Sequence, residues 1–344
     1  MKFKQLLTIT FILCLFALSG NAQKRFILEN KGSVVNTRVF DNLDSAVAAI
    51  QTNDILYIPG GNFALPSDFT GMVIDKNSVS IIGAGHNPDS TIATGRTYLD
   101  GNITINGDYV NISGVYLTGS IIVEATTNDT LITAFSLSYS NVDWIRLMAT
   151  NNQPNTGSSS FHSNIIRGRI KGGYTSSAFF SKNIIEEDVH QFNGSNVSFT
   201  HNIFLDASST PTINSVQGVN FDKNIFRANS ISSLINISNF SSGKSSNNVF
   251  TNSAILGFST SYYIDNQNNI YSNISLLPTF VGGSLPLSFD YTFDFHHSGG
   301  NVGIYGGNGY SPIPRNPHIK SAAISTQTDN NGNLQIIFEV EAKQ

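Results

Sequence analysis

Val197-Ser198-Phe199-Thr200-His201-Asn202-Ile203-Phe204 is written again, with small changes, as Val219-Asn220-Phe221-Asp222-Lys223-Asn224-Ile225-Phe226. In both stretches Val and Phe alternate with polar residues, so they share one face of a strand. Asn then interrupts the alternation and a second apolar pair follows. The same Asn plus two large apolar residues occurs six times, at Asn164, Asn183, Asn202, Asn224, Asn248 and Asn269, with steps of 19, 19, 22, 24 and 21 residues. A repeat of this length makes each copy one turn of a solenoid. The apolar runs are too short for helices and rich in Ile, Val and Phe, so the turns are built from strands. The sequence therefore predicts an all-β chain coiled as a parallel β-helix. Asn tolerates the left-handed backbone of a sharp bend, and its amide can bond equivalents above and below. The six Asn residues are thus expected to form a structural ladder with about 4.8 Å per coil. Phe161, Phe180, Phe199 and Phe221 each stand three residues before an Asn and predict a stacked aromatic column.

Outside this array the pattern continues less regularly. Ile55 to Ile58 is a strand closed by Pro59-Gly60-Gly61, and Val79 to Ile82 leads into Gly83-Ala84-Gly85. Tyr109 to Tyr116 reads as a coil with Gly114 near the ladder position. Leu43, Ala46, Val47 and Ile50 fall at helical spacing, with Asp41 able to cap the start. That predicts a short helix covering the open end of the solenoid. Residues 150–160 read as a loop between coils. Leu334 to Val340 reads as a strand preceded by the turn Asn330-Asn331-Gly332-Asn333. The expected organisation is 1–22 signal peptide, 23–52 N-terminal cap, 53–320 β-helix and 321–344 C-terminal tail strand.

The first 22 residues carry Lys2 and Lys4, an apolar stretch from Leu6 to Leu18, and Gly20-Asn21-Ala22 where signal peptidase needs small residues. Export is expected, with the mature chain starting at Gln23 and working extracellularly, on the outer surface or in the periplasm. The apolar stretch is too short for a membrane span, so the mature chain is expected to lack a transmembrane segment. Cys14, the one cysteine, lies inside the signal behind the bulky Phe11-Ile12-Leu13. No lipid anchor is expected there, and residues 23–344 have no thiol for a disulfide, nucleophile or metal. A net charge of −4 with 12 % charged residues gives no field to steer nucleic acid.

The residues from Asp54 to Gly61, the strand ending at Ile82-Gly83-Ala84-Gly85 and the Asn-Ile-Phe coils resemble the right-handed parallel β-helix superfamily, often called pectin-lyase-like. The segment Val302-Gly303-Ile304-Tyr305-Gly306-Gly307, followed by Pro312-Ile313-Pro314, resembles the tail of uncharacterised secreted β-helix proteins of Bacteroidetes-like bacteria. The resemblance covers roughly residues 40–320 and implies a single-stranded right-handed solenoid with a capping helix. It does not imply one activity, because the superfamily includes lyases, hydrolases, esterases, epimerases, adhesins and inactive binders.

Several constellations bear on chemistry. Arg169-Ile170-Lys171 resembles the Arg-Ile-Lys element of polygalacturonases, but the Asp pair and Gly-His-Gly element that those enzymes need are absent. The motifs of pectin methylesterases are absent too. Glu186, Glu187 and Asp188, with Asp206 one coil on, are the densest acidic group and the candidate metal ligands for Ca²⁺. Arg167, Arg169 and Lys171, one coil earlier, are the catalytic candidates if the chain is a lyase. The competing reading is structural: Arg167 shares a repeat position with Glu186, and Arg169 with Asp188, so salt bridges between coils satisfy both.

Lys182, His201 and Lys223 precede their Asn residues in successive coils and form a candidate binding column for acidic glycan groups. A solvated face that discourages edge pairing is the alternative. Tyr139, Trp144, Tyr174, Tyr262 and Tyr263 are candidates for a sugar-stacking platform or for packing over coil turns. His296-His297 near Asp290 and Asp294 has metal-ligand residue types, although adjacent strand residues point to opposite sides. His86 has no visible partner. The sequence favours a secreted, non-catalytic, glycan-associated or cell-surface protein with no cofactor, Ca²⁺ being the one ion the acidic cluster suits. The alternative is a polysaccharide lyase or hydrolase acting on an acidic polysaccharide.

Overall fold

A computed structural model describes residues 24–31, 37–66, 71–87, 95–124, 132–148, 156–173, 175–205, 213–227, 244–250, 265–267, 270–271, 296–297, 300–301, 303–304, 318–328 and 334–341. Among these, 25 strands join one sheet. Phe26–Asn30 pairs antiparallel with Thr37–Phe40 and Asp54–Ile58. From there on the sheet pairs in parallel, each strand with its equivalent one repeat later. Ile165–Ile166 pairs with Ile184–Ile185, and the series runs on through Ile203–Leu205, Ile225–Arg227, Val249–Phe250 and Ile270–Tyr271. The chain is therefore all-β, parallel and repeated, which is compatible with a β-helix-like solenoid.

Period-two alternation sends one side chain of each pair inward. Leu99, Leu117, Val142, Ile166, Ile185, Phe204 and Phe226 are in register and form one column of the buried core. A second column holds the stacked rings of Phe161, Phe180, Phe199 and Phe221, with centroids 4.4, 4.4 and 5.2 Å apart. Phe192 meets Phe180 and Phe199 edge-on at 6.0 and 5.9 Å. In-register parallel pairing brings identical residues together, so one aromatic per repeat becomes a continuous stack.

The described Asn amides bond between neighbouring strands. Asn183 donates its backbone N–H and one Nδ2 hydrogen to Asn202 Oδ1, at 2.9 and 3.0 Å, and another Nδ2 hydrogen to Phe161 O at 2.9 Å. Asn164, Asn202 and Asn224 make the same contacts with the next Asn and with Leu137 O, Phe180 O and Phe199 O. Asn248 ends the described series with a bond to Phe221 O, and Asn269 lies outside the described residues. The arrangement lets 0 % exposed Asn residues occupy an apolar interior without unsatisfied polar atoms.

The bend is not at Asn, contrary to the expectation. Positive φ falls on the residue before it, at Ser163, Lys182, His201, Lys223 and Asn247, all between 53° and 57°, and likewise on Tyr139, before Ser140, at 48°. The Asn backbone N–H and side chain are both committed to the next coil, so the reversal falls one residue earlier. A second correction concerns the helix. It spans Leu43–Ala48, and Asn42 rather than Asp41 caps it, accepting from Ser45 N–H at 2.8 Å. Asn42 has the extended backbone that an N-cap needs, while Asp41 pairs with Arg25. A third concerns residues 150–160, of which 156–160 lie in the strand Thr156–His162. Ser159 enters the core column between Phe135 and Ala178, a small polar residue where composition suggested a loop.

Two features tie flanking segments to the parallel array. Asp54 is fully buried and accepts from Arg38 Nη2 at 3.0 Å, the Gln51 N–H at 2.9 Å and Asn30 Nδ2, linking the first strands to the first coil. Further along, the Gly303 N–H donates to Lys223 O at 2.7 Å. Gly303 lies over Ile225 and Ile203, where an added Cβ would come within 2.6 Å of Ile225 Cδ1. Ile165, Ile184, Ile203 and Ile225, which follow the Asn residues, are buried yet stand outside the main core cluster. The Gly303–Ile304 segment packs on this isoleucine column, and Ile304 is 1 % exposed. His318–Thr328 and Leu334–Glu341 pair antiparallel in a separate sheet.

Candidate functional site

The outer column of isoleucines continues backward through the sheet as Asn141, Tyr116 and Tyr98. Tyr98 and Tyr116 alternate with the core residues Leu99 and Leu117 and so point away from the interior. Their rings stack at 5.1 Å with an interplanar angle of 10°. The Arg96 guanidinium lies 4.5 Å from the Tyr116 centroid and 5.2 Å from that of Tyr98. Arg167 approaches Tyr116 as well, at 4.8 Å. Its Nε donates to Asn141 Oδ1 at 2.8 Å and its Nη2 to Leu117 O at 2.6 Å. Two cations therefore converge on one ring, held there by cation–π attraction and neutral acceptors.

The acidic cluster begins beside Arg167. Backbone bonds put Asp143, Arg167 and Glu186 at one position of three successive coils: Arg167 N–H donates to Val142 O and Glu186 N–H to Ile166 O. The expected Arg167–Glu186 salt bridge is not made, because the Arg167 donors turn back to Asn141 and Leu117. Glu186 is 7 % exposed, and among the described residues its carboxyl accepts no hydrogen bond. Burial raises its pKa from 4.5 to about 7, against the pull of Arg167 and with help from Glu187 and Asp143. Burial also raises Asp143, again against Arg167, and raises Glu187 with Asp188 adding to the effect. Uncompensated desolvation is thus the common cause.

The Arg169–Asp188 contact does form, with Arg169 Nε 3.2 Å from Asp188 Oδ2 and 3.9 Å from Glu187 Oε2. The Nε–H makes no hydrogen bond, so this is an ion pair at a half-exposed site and contributes little to stability. Arg169 also lies 5.7 Å from the Trp144 ring and Arg146 lies 4.7 Å from it. Lys171 is exposed and sits in register between Arg146 and His190. The His190 pKa is lowered by burial and then by Arg169.

Other candidates divide. Lys182, His201 and Lys223 stand in one column, at the left-handed bends described above. Tyr139 is buried, 3 % exposed, with its carbonyl 2.8 Å from His86 Nδ1, so it is no platform residue. His86 is buried, and desolvation lowers its pKa to about 4, which keeps it neutral. Asp206, Tyr174, Tyr262, Tyr263, Asp290 and Asp294 lie outside the described residues. His296–His297 forms a short strand paired with Gly300–Asn301. Among the described residues no group of three or more His, Cys, Asp or Glu is placed to hold a metal ion. None of their helices is long and apolar enough to cross a membrane.

Asp143 was not among the residues the sequence singled out, although a signal existed. Ser140 takes the equivalent position one repeat before Asn164, donating its N–H to Asn164 Oδ1 at 3.1 Å. Asp143 is three residues after Ser140, as Arg167 is after Asn164, but a search for Asn alone stops short of it. Arg96, Tyr98 and Tyr116 were missed because they precede the regular array. No protein family, curated protein or solved structure matches this chain.

Proposed function

We propose that the chain is an exported right-handed parallel β-helix protein of the pectin-lyase-like type that binds a glycan on its outer face without cleaving it. The observation that carries this reading is the column of partly exposed rings and guanidinium groups, Tyr98, Tyr116 and Arg167, flanked by Arg96. Trp144 with Arg146 and Arg169 extends the same kind of surface. Aromatic faces and forked donors are the groups that hold sugar rings and their substituents, and their mutual packing fixes them before a ligand arrives. Rigid coils supply a long, flat surface suited to a polymer. The test is a glycan array probed with the protein lacking residues 1–22. Saturable binding to one glycan class supports the reading, and uniform absence of binding contradicts it.

A second reading rests on Glu186. A buried carboxyl without a hydrogen bond and with a pKa near 7 suits a general acid, and Asp143 across Arg167 supplies a second carboxylate. A hydrolase would lose activity in Glu186→Gln. Arg167 itself is a poor base for a lyase, since its guanidinium stays protonated and two of its donors are committed.

A further inference from the structure

We infer that Arg96, with Tyr98, Tyr116 and Arg167, forms a subsite for an anionic sugar substituent, a carboxylate or a sulfate; this rests on the glycan-binding reading and narrows it. Among the described residues the Arg96 guanidinium makes no hydrogen bond and no ion pair; its contacts are with the two tyrosine rings. An arginine left this way keeps its five N–H donors for a partner, while the rings hold its plane in place.

The second guanidinium on Tyr116 does not neutralise it but adds like charge. Arg167 turns its bonds to an amide and a carbonyl, and the carboxyls nearest to it, Asp143 and Glu186, are pushed toward their neutral forms by burial. Among the other described groups, none forms an ion pair with Arg96. His86 is buried and neutral, and Asp100, the carboxylate two residues beyond Tyr98 on the same strand, accepts from Thr118 Oγ1 at 2.6 Å and makes no ion pair with Arg96. Two cations gathered on one ring repel each other, and an oxyanion placed between them relieves that repulsion while accepting forked hydrogen bonds. The isoleucine part of this outer column is covered near Ile203 and Ile225 by Gly303–Ile304, whereas Tyr98 and Tyr116 keep part of their surface exposed. The polar end of the column is thus the part left open to a ligand.

The experiment measures binding of three polymers to the full secreted chain: a polyuronate, a sulfated glucan and a neutral glucan. The variants are Arg96→Gln, Arg96→Lys and, as a surface-charge control, Lys76→Gln, whose exposed ammonium pairs with Asp75. Thermal unfolding of each variant checks that it is folded. Arg96→Gln is expected to weaken binding of at least one anionic polymer by about tenfold, with a smaller loss for Arg96→Lys because a point charge lacks the fork. Lys76→Gln should bind as the native protein does, and rising salt should weaken the native interaction. Preference for the uronate or for the sulfated polymer identifies the anion. Equal losses in Arg96→Gln and Lys76→Gln, or none in either, overturn the subsite. Binding of the neutral polymer alone, unchanged in Arg96→Gln, overturns the subsite and leaves the glycan reading standing. Binding of no polymer overturns both.

Discussion

Asn202 Oδ1 accepts two hydrogen bonds from Asn183, one from the backbone N–H at 2.9 Å and one from Nδ2 at 3.0 Å. One residue thereby stitches two coils twice, and Asn202 repeats the operation on Asn224. Replacing Asn202 with Leu leaves the Asn183 donors and the Phe180 carbonyl buried without these partners. We expect a loss on the order of 3 kcal/mol, read as a lower denaturant midpoint at unchanged slope. An unchanged midpoint contradicts the role assigned to the amide.

Lys223, one residue before Asn224, has a φ of 54°. Glycine adopts this conformation without the roughly 1–2 kcal/mol that a Cβ costs, although it loses more entropy on folding. Lys223→Gly should therefore change stability by less than about 1 kcal/mol. A large loss in Lys223→Gly would place the bend's energetics in the side chain rather than the backbone.

The repeat and its buried columns were legible in the sequence because both depend on spacing, which survives without coordinates. The position of the bend was not, since Asn suits a left-handed turn and an amide ladder equally well and only the hydrogen bonds separate the two. Ser159 shows a related limit. A serine in a run of polar residues reads as loop, yet register with Phe135 and Ala178 places it in the core. In the site, Arg169 and Asp188 could be paired from repeat position alone. Arg167 and Glu186 could not, because Arg167 reaches back to Leu117, 50 residues earlier, in the less regular part of the chain.

Glu186 should give stability a distinct pH dependence. Its folded pKa, about 7, lies above its ordinary 4.5, so between these values the folded state holds a proton that the unfolded state has released. Stability from this group is fully present below pH 4.5 and falls as pH rises to about 7. The full effect is on the order of 3 kcal/mol. His86, lowered to about 4, acts in the opposite direction below its ordinary 6.5, so the two partly cancel in the native protein. Comparing Glu186→Gln with the native chain removes the His86 contribution. The variant should equal the native protein near pH 4 and exceed its stability at pH 8; parallel curves would contradict the raised pKa.

Trp144 is the one tryptophan in the chain, so its fluorescence reports on the outer face without labelling. A Cβ on Gly168 would come within 2.1 Å of Trp144 Cδ1. Gly168→Ala should displace the indole from Arg146 and Arg169 and shift the emission, while the cost in stability stays near 1–3 kcal/mol, the usual range for overpacking. An emission spectrum identical to the native one would mean that the indole does not pack on Gly168.

The aromatic column offers a test of the core. Phe180 is sandwiched between Phe161 and Phe199 at 4.4 Å on each side. Phe180→Ala should cost about 3–5 kcal/mol, measured by denaturant unfolding. A loss below about 1 kcal/mol would show that the ring is not buried as described.

We propose that the outer face holds a glycan and leaves it intact. The direct measurement is size-exclusion chromatography of a fluorescently labelled oligosaccharide of the bound class after prolonged incubation with the protein, with added Ca²⁺ and with a chelator. The prediction is that label elutes with the protein in both cases and, after denaturation, is recovered at its original length. Shortened label that disappears from the reaction in Glu186→Gln, or in the Arg167→Ala, Arg169→Ala double variant, would contradict the claim and make the protein an enzyme.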